Sequence, residues 1–139
     1  MHLPLYDGDL EASKGIPSSV QTLSDQIKNA DAVVISTPEY NKSISGVLKN
    51  ALDWVSRAEG SPWRDKPVAI MAATAGRAGG ERAQFALRLC MTPFRPKLIQ
   101  GPEVLVGSNS QEFDENGKIT NKRYLAAIQD LMHQLKAEI

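Results

Sequence analysis

Asp31-Ala32-Val33-Val34-Ile35-Ser36 is a short apolar run rich in β-branched residues, and Thr37-Pro38 stops it. Such a run predicts a strand buried on both faces, the position strands hold in a parallel sheet. A polar loop follows, Glu39-Tyr40-Asn41-Lys42-Ser43. A helix is then predicted over 45–57, with Ser43 or Ser45 able to cap it. Val47, Leu48, Ala51, Leu52, Trp54 and Val55 form a stripe on that helix wider than one core face needs. Burial inside one chain and a subunit interface both account for the width.

The same alternation extends in both directions. Downstream, Lys66-Pro67 introduces a second buried-strand run over 68–73, which ends in Thr74-Ala75-Gly76-Arg77-Ala78-Gly79-Gly80. A helix is predicted over 81–91, burying Ala83, Ala86, Leu87 and Cys90, and Pro93 and Pro96 close the segment. Val104-Leu105-Val106 reads as a third strand and the stretch from Phe113 to Lys118, with Asn116-Gly117, as a surface turn. The last helix, 121–137, sets Tyr124, Leu125, Ile128, Leu131, Met132 and Leu135 at helical spacing. Upstream, Pro17 opens a helix over 17–29 with Val20, Leu23 and Ile27 on one face, and residues 1–16 read as polar and irregular.

Helices alternating with strands predict an α/β fold, one domain over 1–139 with helices on both faces of a parallel sheet. Right-handed crossovers then bring the C-terminal ends of all strands to one edge, where open α/β sheets bind ligands. The loops 37–45 and 74–80 should therefore face one site.

Composition narrows the class. The chain has 139 residues, 42% of them hydrophobic, enough for a core and against global disorder. Sixteen Lys and Arg balance 16 Asp and Glu, so nothing resembles a nucleic-acid footprint. No window approaches the roughly 18 apolar residues of a membrane span, and the start has neither a positive n-region nor an apolar h-region. Cys90 is the only cysteine, so no intrachain disulfide forms, and a cytoplasmic location is expected. With His2 and His133 at opposite ends, no metal cluster is expected.

The loops suggest what the site binds. The first offers backbone amides, Tyr40 and the Asn41 amide at the positive end of a helix. The second has three glycines in five positions, which let a backbone approach a flat ring or a phosphate, or serve only a tight turn. Neither loop carries a nucleophile with its base. Asp53, four residues after Lys49, reads as half of a solvated helix pair. No catalytic side chain is expected, and a reaction here would be carried by a cofactor.

The stretch from Thr37 to Trp54 resembles the signature P-E-Y-N-x-S-x-P-G-x-L-K-N-A-x-D-W of the NAD(P)H-dependent FMN reductase family, flavodoxin-like quinone, azo and chromate reductases. It departs once, with Ser45 where the family usually has proline. Pro62 to Pro67, Ala78 to Ala83 and Gly101 to Val104 also look like the family. The resemblance implies a flavodoxin-like three-layer α/β/α fold that binds FMN. It implies cofactor contacts from Pro38, Glu39, Tyr40, Asn41 and Ser43 on one side, and from Thr74, Ala75, Gly76, Gly79 and Gly80 on the other. NADPH or NADH would reduce the flavin, and quinones, free flavin, azo compounds or metal oxyanions such as chromate would reoxidise it. The helix 45–57 would lie in a homodimer or homotetramer interface.

Family members also begin with a strand, a phosphate loop of the kind G-S-x-R-x-x-S and a first helix, whereas His2-Leu3-Pro4-Leu5-Tyr6-Asp7 looks like the segment after their second strand. The resemblance therefore implies an N-terminally truncated, partial domain with open sheet edges and a weakened hold on the FMN phosphate. A plain helix cap is the simpler reading of Ser13-Lys14-Gly15 with Ser18-Ser19, an anion site the other. Two further readings follow: a non-catalytic, dimerising remnant without flavin, and a flavodoxin-type electron carrier.

Overall fold

The computed structural model describes residues 2–139. Four strands form one parallel sheet: β1 (Val33–Thr37), β2 (Pro67–Ala73), β3 (Lys97–Leu98) and β4 (Val104–Val106). β2 is central. β1 flanks it over its whole length, with Val33 opposite Val68 and Thr37 opposite Ala72. On its other side β3 pairs with the start of β2 and β4 with its end, so the two act as one interrupted strand, broken at a cis Gly101–Pro102 peptide.

Five helices surround the sheet: α1 (Gly8–Lys14), α2 (Ser18–Asn29), α3 (Gly46–Val55), α4 (Glu81–Met91) and α5 (Lys122–Ala137). The alternation of side chains along β2 sorts them into layers. Val68 and Ile70 share a core with Ile27 of α2, Leu52 and Val55 of α3, and Ala83, Leu87 and Met91 of α4. Ala69, Met71 and Ala73 point the other way, to Leu131 and Leu135 of α5. Helices on both faces of a parallel sheet are what the alternation predicts, and the three layers are the flavodoxin-like form that the family resemblance implies.

Several expectations are corrected. Residues 1–16 are not wholly irregular, because α1 occupies 8–14. Asp7 caps it through bonds from the Asp9 and Leu10 amides, and Gly15, at φ +75°, ends it. Ser13-Lys14-Gly15 is thus the carbonyl end of a helix, where partial negative charge opposes an anion. β1 is not buried on both faces. Ile35 and Thr37 face the core, while Val34, 43% exposed, and Ser36 open onto the other face. Among the described residues β1 pairs with β2 alone, so its outer edge is free.

The broad stripe of α3 is explained inside the chain. Leu52 and Val55 enter the sheet core. Trp54 is fully buried on the flank, its indole N–H donating to the Pro4 carbonyl at 2.8 Å and its ring meeting Tyr6 edge-on at 5.0 Å. The Asn50 amide also donates to Pro4 and accepts from the Tyr6 N–H. Val47 remains outside, 79% exposed. Among the described residues no helix is long and apolar enough to cross a membrane.

Candidate functional site

Parallel pairing brings Thr37 and Ala73 to the same edge of the sheet, and both candidate loops leave from it. The first is shaped by a tight turn. The Tyr40 and Ser43 N–H groups donate to each other's carbonyls at 3.0 Å, and Asn41 and Lys42 between them take φ +51° and +67°. Positive φ at both central positions is the type I′ geometry, which strongly favours Asn-Gly. Here lysine holds the second position, and left-handed residues other than glycine carry strain that gathers at functional sites. Among the described residues the Asn41 and Lys42 amides have no hydrogen-bond partner, and neither does the Asn41 side chain. Tyr40 is 62% exposed.

Ser45 caps α3, accepting from the Leu48 amide at 3.3 Å. Serine in the place of the family's proline therefore supplies a cap. One turn further, the Lys49 ammonium sits 2.6 Å from Asp53, and this bond holds it above the usual lysine range. That is the solvated pair expected.

The second loop is pinned from below. Thr74 N–H donates to the Val106 carbonyl, and the Thr74 carbonyl accepts from Asn109. The Gly76 carbonyl accepts from the Ser108 and Gly79 amides and from the Thr74 hydroxyl. Its glycines divide by role. Ala75 and Gly76 are exposed, as are Arg77 and Ala78, whereas Gly79 and Gly80 are buried. A Cβ at Gly80 would stand 2.7 Å from that of Ala72, and φ is +90°. Gly79 and Gly80 thus pack closely on β4 and β2, where a Cβ would collide. Thr74, Ala75 and Gly76 offer the accessible surface.

The two loops meet through Glu39. Its carboxylate accepts from the Arg82 and Ala83 amides, at 3.0 and 3.2 Å, in the first turn of α4. Pro38, Tyr40, Asn41 and Ser43 come together with Thr74, Ala75 and Gly76 at one edge, while the Glu39 carboxylate is engaged with protein. This cross-loop bond is absent from any local pattern, since its partners lie 43 and 44 positions apart. Arg77, exposed at the tip of the second loop, is a charged neighbour that the sequence reading left out.

A cleft of about 480 Å³ lies elsewhere, between the second half of α3 and the end of α4, lined by Leu52, Ser56, Trp63, Cys90 and Phe94 among others. No residue of 37–45 or 74–80 lines it.

Comparison with known proteins gives the family and the fold. The profile of the NADPH-dependent FMN reductase family matches residues 1–111. A protein of Pseudomonas aeruginosa named NAD(P)H-dependent FMN reductase is 40% identical over 134 residues, covering 96% of this chain and 72% of its own. A quinone reductase of Escherichia coli is 40% identical over 121 residues, covering 86% of this chain and 64% of its own. Among solved structures, a flavoenzyme NAD(P)H:(acceptor) oxidoreductase of Paracoccus denitrificans superposes with a TM-score of 0.79 at 32% identity, over 98% of this chain and 72% of that one.

Proposed function

The chain belongs to the NADPH-dependent FMN reductase family, and on that premise we propose that its two loops hold the flavin ring of FMN and that the protein passes electrons from NAD(P)H to a quinone or to free flavin. When bound, FMN would supply the redox chemistry, hydride transfer from a nicotinamide and electron transfer to the acceptor. The chain's own residues bind and orient.

The observation that carries this reading is the pair of unpartnered amides, Asn41 and Lys42, held in a strained turn opposite the pinned Thr74–Gly76 segment. A flavin pyrimidine edge presents carbonyls and ring nitrogens, which such fixed donors match. Tyr40, exposed beside them, offers an aromatic surface to a planar ring. The pinned second loop gives a flat, main-chain wall. No acid or base is needed from the protein, whose contribution is placement. Azo compounds and chromate belong to the acceptor set to be assayed, and the cytoplasm, with its reduced nicotinamide, is the compartment that fits.

We also infer self-association through the outer faces of α3 and α4. Val47 on α3, and Phe85 and Leu89 one turn apart on α4, are 79, 56 and 74% exposed, apolar side chains that a second copy of the chain would cover.

The test is direct. Supplied with FMN, the purified protein should show the absorption spectrum of bound flavin, NADPH should bleach it without oxygen, and a benzoquinone should restore it. A colourless protein that takes up no added FMN would favour a non-catalytic interaction domain. A flavin that a quinone turns over but nicotinamide leaves oxidised would favour an electron carrier.

A further inference from the structure

The cap of α4 comes from the wrong loop. The residue at the cap position is Gly80, which has no side chain to offer. Nor can it gain one, because its φ is +90° and a Cβ would collide with Ala72. The amides of Arg82 and Ala83, the second and third of the helix, would otherwise lack partners. Glu39 supplies them from across the gap. Its side chain is 16% exposed, and the Arg82 guanidinium lies 4.0 Å from its other carboxylate oxygen.

The position of Glu39 gives this bond a consequence. The β1–β2 ladder ends at Thr37 opposite Ala72, so backbone pairing no longer fixes the chain beyond it. Tyr40, where the strained turn begins, follows Glu39 directly. Among the described residues the hydrogen bonds of Glu39 are the ones that join 38–45 to 74–83. We propose that Glu39 is the positioning residue of the cofactor site: by capping α4 from the neighbouring loop, it sets the separation of the two loops between which the flavin ring lies. The reference to flavin rests on the function proposed above, while the coupling of the loops does not.

The carboxylate acts as an acceptor with charge. Glu39→Gln keeps an oxygen at the same reach, so the coupling survives in it. Glu39→Ala removes the acceptor, and Glu39→Asp withdraws it by one methylene. Arg82→Ala leaves both backbone donors in place and serves as the control.

Amide exchange followed by NMR reads the coupling without any ligand, and titration with FMN and with riboflavin reads the site. In Glu39→Ala, exchange should speed up about tenfold or more at Arg82 and Ala83 and also at Tyr40 and Ser43, as expected for loss of charge-assisted bonds. Dissociation constants for both flavins should rise by about the same tenfold, while Glu39→Gln stays within about threefold and Arg82→Ala within about twofold. Where the alanine variant fails to fold, Glu39→Asp carries the same expectation. Faster exchange confined to Arg82 and Ala83, with flavin affinity unchanged, would overturn the proposal and leave Glu39 an ordinary cap. A wild-type protein that takes up neither flavin would remove the functional reading, and the exchange at Tyr40 and Ser43 would still decide the coupling.

Discussion

Gly79 lies directly on the Leu105 peptide: a Cβ added to it would stand 2.4 Å from the Leu105 carbonyl carbon and 2.5 Å from its oxygen. The contact seats the second loop on β4, and Gly107 repeats it in reverse, with an added Cβ 2.4 Å from the Arg77 carbonyl oxygen. Gly79→Ala must lift the loop off the strand and also holds φ at +63°. It should cost about 1–3 kcal/mol. Gly76→Ala, whose Cβ would meet only the Thr74 hydroxyl at 4.0 Å, should stay within about 0.5 kcal/mol. Urea unfolding of the two variants checks the difference, and equal costs would show that the loop is free to move.

The turn at Tyr40–Ser43 predicts a change in the opposite direction. Lys42 holds φ at +67°, where a side chain costs about 1–2 kcal/mol that glycine avoids. Glycine's greater unfolded-state freedom returns about 0.5–1 kcal/mol of that. Lys42→Gly, which creates the favoured Asn-Gly pair, should therefore stabilise the protein by up to about 1.5 kcal/mol. Asn41→Val, β-branched at φ +51°, should destabilise it. Thermal unfolding of both variants tests the sign.

What the sequence reveals here depends on how local the cause is. α4 falls on 81–91 as expected, because glycines precede it and prolines follow. β4 and the strand bounds within a residue or two follow from apolar runs between breakers. α1 escapes because it buries no residue and so has no apolar stripe, though its Asp7 cap and Gly15 stop stand in the sequence. β3 escapes at two residues, too short to carry a pattern. The open face of β1 is invisible from Val34 and Ser36 themselves, since exposure depends on what lies beside the strand. The site loops are legible as places. The division of labour within them, with Glu39 turned to α4 and Gly79 and Gly80 to packing, arises from contacts far apart in sequence.

Trp54 separates folding from association. It is fully buried and bonded to Pro4, so Trp54→Glu places a charge in the flank of the core. The loss should be about 3–5 kcal/mol or more, enough to unfold a marginal domain rather than yield a folded monomer. Circular dichroism should show loss of structure at 25 °C. A folded Trp54→Glu protein would mean that Tyr6 and Pro4 do not seal the indole.

Val47 and Leu89 are the positions at which self-association can be tested cleanly. Both are largely exposed, so Val47→Glu and Leu89→Glu should each change folding stability by no more than about 0.5 kcal/mol. A buried charge at a subunit interface has no such tolerance. Light scattering should give a single-chain mass for both variants and a multiple of it for the parent. A parent already at single-chain mass removes the inferred interface.

The contact between the first loop and the flavin ring gives the remaining prediction. Tyr40 and Asn41 lie in the loop that follows β1, and among the described residues neither side chain is hydrogen-bonded and the Asn41 and Lys42 amides have no partner. Tyr40→Ala removes an aromatic surface and Asn41→Ala a hydrogen-bonding amide, while both leave the backbone donors intact. Each loss corresponds to about 0.5–1.5 kcal/mol, or roughly a 2- to 12-fold rise in the flavin dissociation constant. Because the partner would be the ring and not the phosphate, riboflavin and FMN should weaken by the same factor. Equal weakening in equilibrium titration places the first loop on the ring. Loss with FMN alone would move its contact to the phosphate, and no loss with either flavin would take Tyr40 and Asn41 out of the site.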